Sequence, residues 1–528
     1  MKYCAVDACA PCQAMREAEC RLAEAEALVE RLKHEQCRLK SDMNSAHDPL
    51  THWLPLEVKA QIFILCMPTF SVTEYTAEGR CELPTKAVGV LSSVCTGWRD
   101  TARSTPQLWN VLCIVIPSRY LASGSMLQGI EAHLSRSGDL PLMIQIEHNW
   151  DPSLVDSHPS EYEVIFDALN RHSHRWHSLS LDMSHHIWSR LEGSTFVGAP
   201  KLDTLRIRLD GGGHTSEAGF KLAHSRPSPS ILTIRGFHVN AIHIDWGAVT
   251  RLDVDYLSVA DCVNILRHAP RLEQLQNEIP ANDHNDPLEE RYNTTTHKML
   301  HTWDLRCLID PAQIQILFDR LTLPSLKSVS LAASKPFNSL KRLIIRSSCH
   351  LTHFKLANAF AGNRELISLL WMMPDIVDLH LGISHYSCTQ ELFELLGNTA
   401  ILPYRSDEGI AFLPRLEKFY FGNEWQPNAS PPWSSIPAWF PHPLAEPNLQ
   451  TCRPLSSVHI RVDVKITSLS ELEICVIERD TIPKLLDVVQ RGHDLAIVNT
   501  SRYLKEWGRD FLGFCQEYHD RHDDNSGT

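Results

Sequence analysis

Pro324-Ser325-Leu326-Lys327-Ser328-Val329-Ser330-Leu331 is the stretch that decides the fold, because the chain repeats its phrasing. Further copies are Pro200-Lys201-Leu202-Asp203-Thr204-Leu205-Arg206-Ile207, Pro374-Asp375-Ile376-Val377-Asp378-Leu379-His380-Leu381 and Pro414-Arg415-Leu416-Glu417-Lys418-Phe419-Tyr420-Phe421. Pro270-Arg271-Leu272-Glu273-Gln274-Leu275 is a partial copy. In each, proline ends the preceding element and an aliphatic residue two places on enters a core. An apolar-x-apolar alternation then reads as a strand.

Working outward, such strand cores begin at Leu179, Leu205, Leu232, Leu252, Leu275, Trp303, Val329, Phe354, Leu379, Phe419 and Val458. The first eight steps between them span 20 to 28 residues, inside the roughly 20–29-residue period of leucine-rich repeats. Helix-like segments lie between them, for example 261–269 and 364–371. The pattern predicts an α/β repeat array whose strands add one after another to a parallel sheet. Two long steps coincide with a Pro- and Trp-rich stretch, 424–454, read as an insertion. A polar tail at 519–528 is expected to be disordered.

The chain begins differently. Residues 13–40 read as one helix, with Met15, Ala18, Leu22, Ala25, Val29, Leu32, Gln36 and Leu39 on heptad a and d positions. Two readings stay open: a coiled coil, which would allow self-association or pairing with a partner helix through 13–40, and a helix that packs on its own chain or frays. Residues 41–48 read as a linker. Two helical blocks come next. The first spans Leu54 to Cys66, with Pro55 suited to a first turn. The second spans Ala87 to Ala102, with a polar loop between them. Thr105-Pro106-Gln107-Leu108-Trp109 reads as a turn leading into a short helix or strand, and many short strand-like runs are expected from about residue 140 onward.

The segment 49–110 resembles the F-box as it occurs in the large F-box-like families of basidiomycete fungi. The resemblance rests on Leu54-Pro55-x-Glu57-Val58 before Ile62-Phe63, then Val94-Cys95-x-x-Trp98-Arg99-Asp100-x-Ala102, then Thr105-Pro106-x-Leu108-Trp109. It extends loosely over 135–500 through Ser135-Arg136-Ser137-Gly138, His174-Arg175-Trp176 and Ile345-Arg346-Ser347-Ser348-Cys349. The resemblance implies docking onto a Skp-type adaptor bound to a cullin-RING ubiquitin ligase, with the 135–500 region presenting an unknown target protein. Carried over by position, Leu54, Pro55, Ile62, Phe63, Val94, Cys95 and Trp98 form or support the adaptor-facing surface. The same residues also suit a small helical core. Trp109 is expected to pack the helical module against the repeat region. The loop at about 69–88 is long for a minimal F-box.

Composition narrows the function classes. Of 528 residues 43% are hydrophobic and 21% charged, so a sizeable core is expected. A net charge of −13 disfavours a dedicated nucleic-acid binder. No apolar run reaches the ~18 residues of a membrane span. Asp7, Glu17 and Glu19 stand where a secretory signal would need an apolar stretch. A cytoplasmic location is therefore expected, with the nucleus left open. The 16 cysteines are dispersed, and Cys9-x-x-Cys12 lacks a second tight pair, so reduced thiols without metal are expected. Gly211-Gly212-Gly213 has no following Lys-Ser/Thr. Asp253-Val254-Asp255 sits in a repeat phrase, and His172-x-His174 and His185-His186 have no placed third ligand. The expectation is a protein without catalytic residues, metal or cofactor. Residues between the strand leucines, including Arg206, Arg208, Asp253, Asp255, Arg306, Ser330, Lys355, His380 and Tyr420, would line a recognition face. The alternative function is a non-catalytic scaffolding or interaction repeat protein not coupled to ubiquitination.

Overall fold

A computed structural model describes residues 9–47, 50, 53–68, 84–116, 124–148, 159–183, 195–209, 221–222, 226–236, 239–279, 294–307, 311–333, 337–359, 363–383, 389–402, 411–425, 432–441, 451–464, 476–499 and 510–526. The triple glycine, His185-His186 and most of the loop 69–88 lie outside them. The chain divides into two compact units, residues 1–206 with 222–225, and 207–221 with 226–528.

The first unit opens with helix α1, Ala10–His47. It runs through the expected linker as far as His47, because 41–47 holds no glycine or proline and Pro49 is the first strong breaker. Asn44 near its end donates from Nδ2 to Val94 O at 3.0 Å. Three short helices come next: α2, Leu56–Leu65; α3, Pro84–Ser93; and α4, Thr96–Arg103. The block expected as one helix over 87–102 is therefore two. The break is local chemistry: Cys95 is extended (φ −155°) and its Sγ accepts from Trp98 N, capping α4.

A 3₁₀ turn, Pro106–Leu108, leads into strand β1, Val111–Ile116, so of the short helix or strand left open after this turn it is the strand that forms. Val111-Leu112-Cys113-Ile114-Val115-Ile116 is an unbroken apolar run, the pattern of a strand covered on both faces, so alternation could not reveal it. Helix α5 (Gly124–Arg136), β2 (Leu142–His148), α6 (Pro159–Asn170) and β3 (Trp176–Met183) complete the unit. Its three strands pair parallel, with Leu112 beside Ile144 and Ile144 beside Leu179. The division between the units falls within β4, Thr204–Leu209.

The second unit continues with β5 (Ile231–Arg235), β6 (Arg251–Tyr256), α7 (Val259–His268), β7 (Gln274–Glu278), β8 (Thr295–Thr296) and β9 (Thr302–Cys307). Next come α8 (Pro311–Asp319), β10 (Leu321–Thr322), β11 (Ser328–Ala333), α9 (Phe337–Ser347), β12 (His353–Ala359) and α10 (Asn363–Leu370). The rest are β13 (Asp378–Ile383), α11 (Thr389–Asn398), β14 (Ile401–Leu402), β15 (Lys418–Trp425), β16 (Thr451–Cys452), β17 (Ser457–Val464), α12 (Ile482–Gln490), β18 (Asp494–Asn499) and α13 (Phe511–Ser526). The stretch expected to end in a disordered tail thus stays helical to Ser526. Phe511, Leu512, Phe514 and Cys515 bury one side of α13, and His519 Nε2 donates to Ile477 O at 2.9 Å.

The strand cores counted in the sequence become a single row of register partners. Leu232, Leu252, Leu275, Trp303, Val329, Phe354, Leu379, Phe419, Val458 and Leu495 stand side by side on ten parallel strands. The recurring proline also has a place. Leu272, Leu326, Ile376 and Leu416 each donate a backbone N–H to the carbonyl three residues back, so the proline stands second in a tight turn. Its fixed φ of about −65° suits that position. The next residue then enters the ladder: Glu273 N to Thr250 O, Lys327 N to His301 O, Val377 N to Thr352 O.

Each helix ends in buried carbonyls that need donors. Three arginines supply them. Arg175 reaches Leu140 O at 2.9 Å and Ser137 Oγ at 2.7 Å beyond α5, which ties the His174-Arg175-Trp176 phrase to Ser135-Arg136-Ser137-Gly138. Arg346 does the same for Phe318 O and Leu321 O beyond α8. Arg453 is buried and donates to Leu396 O, Thr399 O, Thr399 Oγ1, Phe412 O and Leu413 O around the end of α11. Burial without a carboxylate partner pulls its pKa down to about 10, still charged at neutral pH. The Trp-rich insertion is also built in. Its 3₁₀ segment Trp433–Trp439 packs on α11, where Trp439 Nε1 donates to Phe393 O at 2.8 Å.

Two outcomes are expected. Arg453→Lys, with three donors in place of a planar fork, leaves buried carbonyls unpaired and costs about 3 kcal/mol, read as a lowered urea midpoint. His133 is buried on α5, donates from Nε2 to Val111 O at 3.0 Å, and burial holds its pKa at about 4 against 6.5. Between those values the unfolded chain holds more protons, so stability falls as pH drops from 6.5 towards 4. The loss is on the order of 3 kcal/mol below pH 4. His133→Gln should flatten this acid limb in denaturation curves followed by tryptophan fluorescence.

Candidate functional site

Two surfaces carry the residues singled out in the sequence. The first is the helical trio. Phe63 of α2, Val88 of α3, Ala102 of α4, Leu108 and Trp109 form its core, with Ile62, Leu91 and Trp98 packed against them. Phe63 and Trp98 rings lie 5.0 Å apart. Trp109 donates from Nε1 to Ala102 O at 2.7 Å, meets His133 edge-on at 5.1 Å and carries the Arg136 guanidinium 4.6 Å over its ring. It therefore joins the trio to α5, a helix that precedes the expected repeat region except for its last two residues.

The seven residues carried over by position separate into two groups. Phe63 and Cys95 are buried; Ile62 and Trp98 are half-buried flanks of the core. Leu54 and Val94 are half-exposed, and Pro55 is exposed as the residue preceding α2. The apolar side chains that do reach solvent were not among them: Trp53 (84% exposed), Leu56, Val58, Leu65 (75%) and Val90. The reason lies in α2. Leu56-Glu57-Val58-Lys59-Ala60-Gln61-Ile62-Phe63-Ile64-Leu65 is apolar nearly all round, so spacing alone could not say which face is covered. The useful signal was the excess itself, more aliphatic residues than one core-facing stripe needs.

Along α1 the expected stripe is also open. Every residue from 13 to 40 is exposed, Met15, Leu22, Val29, Leu32 and Leu39 included, so this helix does not pack on its own chain there.

The second surface is the sheet face opposite the helices of the second unit. Phe419 and Phe421 of β15 meet Phe393 of α11, at 6.4 and 5.1 Å, so Tyr420 between them points to the other side. Its row of register partners includes Asp253, Gln276, Asp304, Ser330, Lys355, His380, Tyr420 and His459. Five of the recognition-face residues named from the sequence (Asp253, Ser330, Lys355, His380, Tyr420) thus share one line. Arg306 falls in the adjacent row, and Arg206 and Arg208 lie on β4. Charge is sorted along the line. Towards β6, Arg235 pairs with Asp253 (2.6 Å) and with Asp255. Towards β17, rings stack: His380 on Tyr420 at 4.4 Å and 4°, then Tyr420 against His459 at 4.5 Å.

Around these rings lies a cleft of about 570 Å³ whose floor includes Ala357, Gly382 and Gly422. His380 Nε2 lies 2.9 Å from Asp378 Oδ1, and burial holds the imidazole below its usual range. His459 Nε2 and Ser457 Oγ both donate to Asp494 Oδ2, which holds that carboxyl below its ordinary value. Sequence reading missed His459, Arg461 and the two glycines. The phase was available, since His459 follows Val458 as His380 follows Leu379.

Among the described residues no group of three His, Cys, Asp or Glu side chains is placed to hold a metal ion. Nor is any helix there long and apolar enough to cross a membrane. Cys262 and Cys349, buried in the second unit, have thiols pushed up by desolvation, Cys262 to about 12. A thiol held up in this way is not a nucleophile at neutral pH.

The trio makes a checkable contrast. Phe63→Ala empties its core and should cost about 3–4 kcal/mol. Leu65→Ser, two residues on, should change stability by less than about 0.5 kcal/mol in the same denaturation assay. No protein-family model matches the chain, and no curated protein matches it.

Proposed function

We propose that this protein is the substrate-recognition subunit of an SCF-type ubiquitin ligase. In this reading the helical trio is an F-box-like module that docks on a Skp-type adaptor, and the parallel-sheet region is a leucine-rich-repeat-like domain that presents a target. The supporting observation is the uncovered apolar surface of the trio. A small module whose core is already filled by Phe63, Val88 and Trp109 still exposes Leu56, Val58, Leu65 and Val90. Several exposed aliphatic side chains on so small a module call for a partner that buries them. The resemblance of 49–110 to the F-box names that partner. The mechanism is proximity: the chain performs no covalent chemistry and holds a target near the ubiquitin-loaded enzyme, raising its effective concentration.

A second reading, a scaffold that self-associates, is favoured by one observation, the exposed heptad stripe of α1.

The test is co-purification of the full chain with a Skp-type adaptor. Leu56→Glu with Val58→Glu changes two exposed positions and should abolish the complex while leaving the circular dichroism spectrum unchanged. A wild-type chain that is folded and binds no adaptor would sink the ligase reading and leave the scaffold.

A further inference from the structure

The cleft on the open sheet face has a shape and charge that select an occupant. Its floor is a row almost without side chains: Gly382 and Gly422 are register partners on β13 and β15, with Ala357 beside them on β12. The next residue in that row is Arg461 on β17, which closes one end. At the other end stands Lys355 on β12, in the row of stacked rings. The trough therefore runs across the strands. Lys355 and Arg461 are both exposed, and neither has an ion-pair partner among the described residues. The two imidazoles between them are already turned to Asp378 and Asp494. Each end thus offers one unspent positive charge on a chain whose net charge is −13.

We infer that this trough binds a short extended acidic segment of a partner protein, with one carboxylate at Lys355 and another at Arg461. The inference rests on the proposal that the sheet region presents a target. Three strand spacings separate β12 from β17, about 14 Å. An extended chain advances about 3.3 Å per residue, so the two acidic residues stand about four apart. The residue midway lies over Gly422 and against the ring of Tyr420. An apolar or aromatic side chain fits there, because the floor has no polar side chain to satisfy. One cation per end matches a singly charged carboxylate; a phosphate, near two negative charges, would call for more.

The experiment uses the full chain and a fluorescein-labelled octapeptide with Glu at positions 2 and 6, Phe at position 4 and Ser or Ala elsewhere, read by fluorescence anisotropy. Saturable binding is expected, weakened about fivefold by Lys355→Ala and by Arg461→Ala, and reduced by added salt. Gly422→Val should weaken it at least about tenfold by filling the trough. A Cβ at Gly422 meets only Arg461 Cβ, at 3.9 Å, so this variant keeps the strand intact. Moving the second Glu to position 5, where alternation points it away from the trough, should weaken binding as much as removing it. The inference is overturned by no saturable binding, by equal binding of the peptide with Lys in place of Glu, or by full binding to Gly422→Val. Binding that appears only when phosphoserine replaces Glu also overturns it. Adaptor co-purification through Leu56 and Val58 involves none of these residues, so failure here and failure of the ligase reading are distinguishable.

Discussion

The register of the parallel ladder is the constraint on which the second unit depends. Ten strands from β5 to β18 each place an apolar residue at the same height, from Leu232 to Leu495. A slip of one residue would turn every such side chain to the open face and bring Asp253, Lys355, His380 and their neighbours into the core. Burying unpaired charges costs several kcal/mol each, so the register is strongly specified. The tight turn before many of these strands sets the height. Proline takes its second position, the aliphatic residue two places on anchors it, and the following N–H joins the previous strand.

A parallel sheet with helices on one side creates a second requirement. Each crossover helix ends facing the next layer, with carbonyls that water cannot reach. Arg175, Arg346 and Arg453 answer it with the same device, a guanidinium whose several donors reach back to the end of an earlier helix. His297 does so for α7 with a neutral ring, donating from Nε2 to Ala269 O while Nδ1 accepts from Leu300 N. Asn277 stands in an otherwise apolar row, where Trp303 Nε1 donates to its Oδ1 at 2.9 Å. These buried polar groups tie sequence-distant layers together and make each layer depend on the next.

Side-chain size on the open face then decides where a ligand can sit. Stacked His380 and Tyr420 raise one wall, and the glycines beside them lower the floor. The cleft is a consequence of two missing side chains in one row. It belongs to a face that, carrying no helix among the described residues, can vary without disturbing the core.

Much of this was legible in the chain itself. The strand starts, their spacing and the proline phrase need only local sequence, because a period-2 strand and a tight turn are local preferences. The heptad stripe of α1 was legible for the same reason. The strand β1 was left open between helix and strand because it is apolar on both faces, and the helical end of the tail was hidden because its anchor, Ile477, lies far away in sequence. Among the candidate site residues, Phe63 and Cys95 became core, while the surface fell to Leu56, Val58 and Leu65, which were not among the candidates. On a helix that is apolar all round, only the packing partners, Trp98 and Trp109, decide which face is covered. The cleft, too, required tertiary structure. Gly382, Gly422, Arg461 and Lys355 are up to about a hundred residues apart, and only strand pairing makes them neighbours. Local sequence therefore set the repeat, its phase and the residue types available at each height. Packing set which apolar residues stay in water and which rows close into a site, because burial and proximity across strands are properties of the assembled layers.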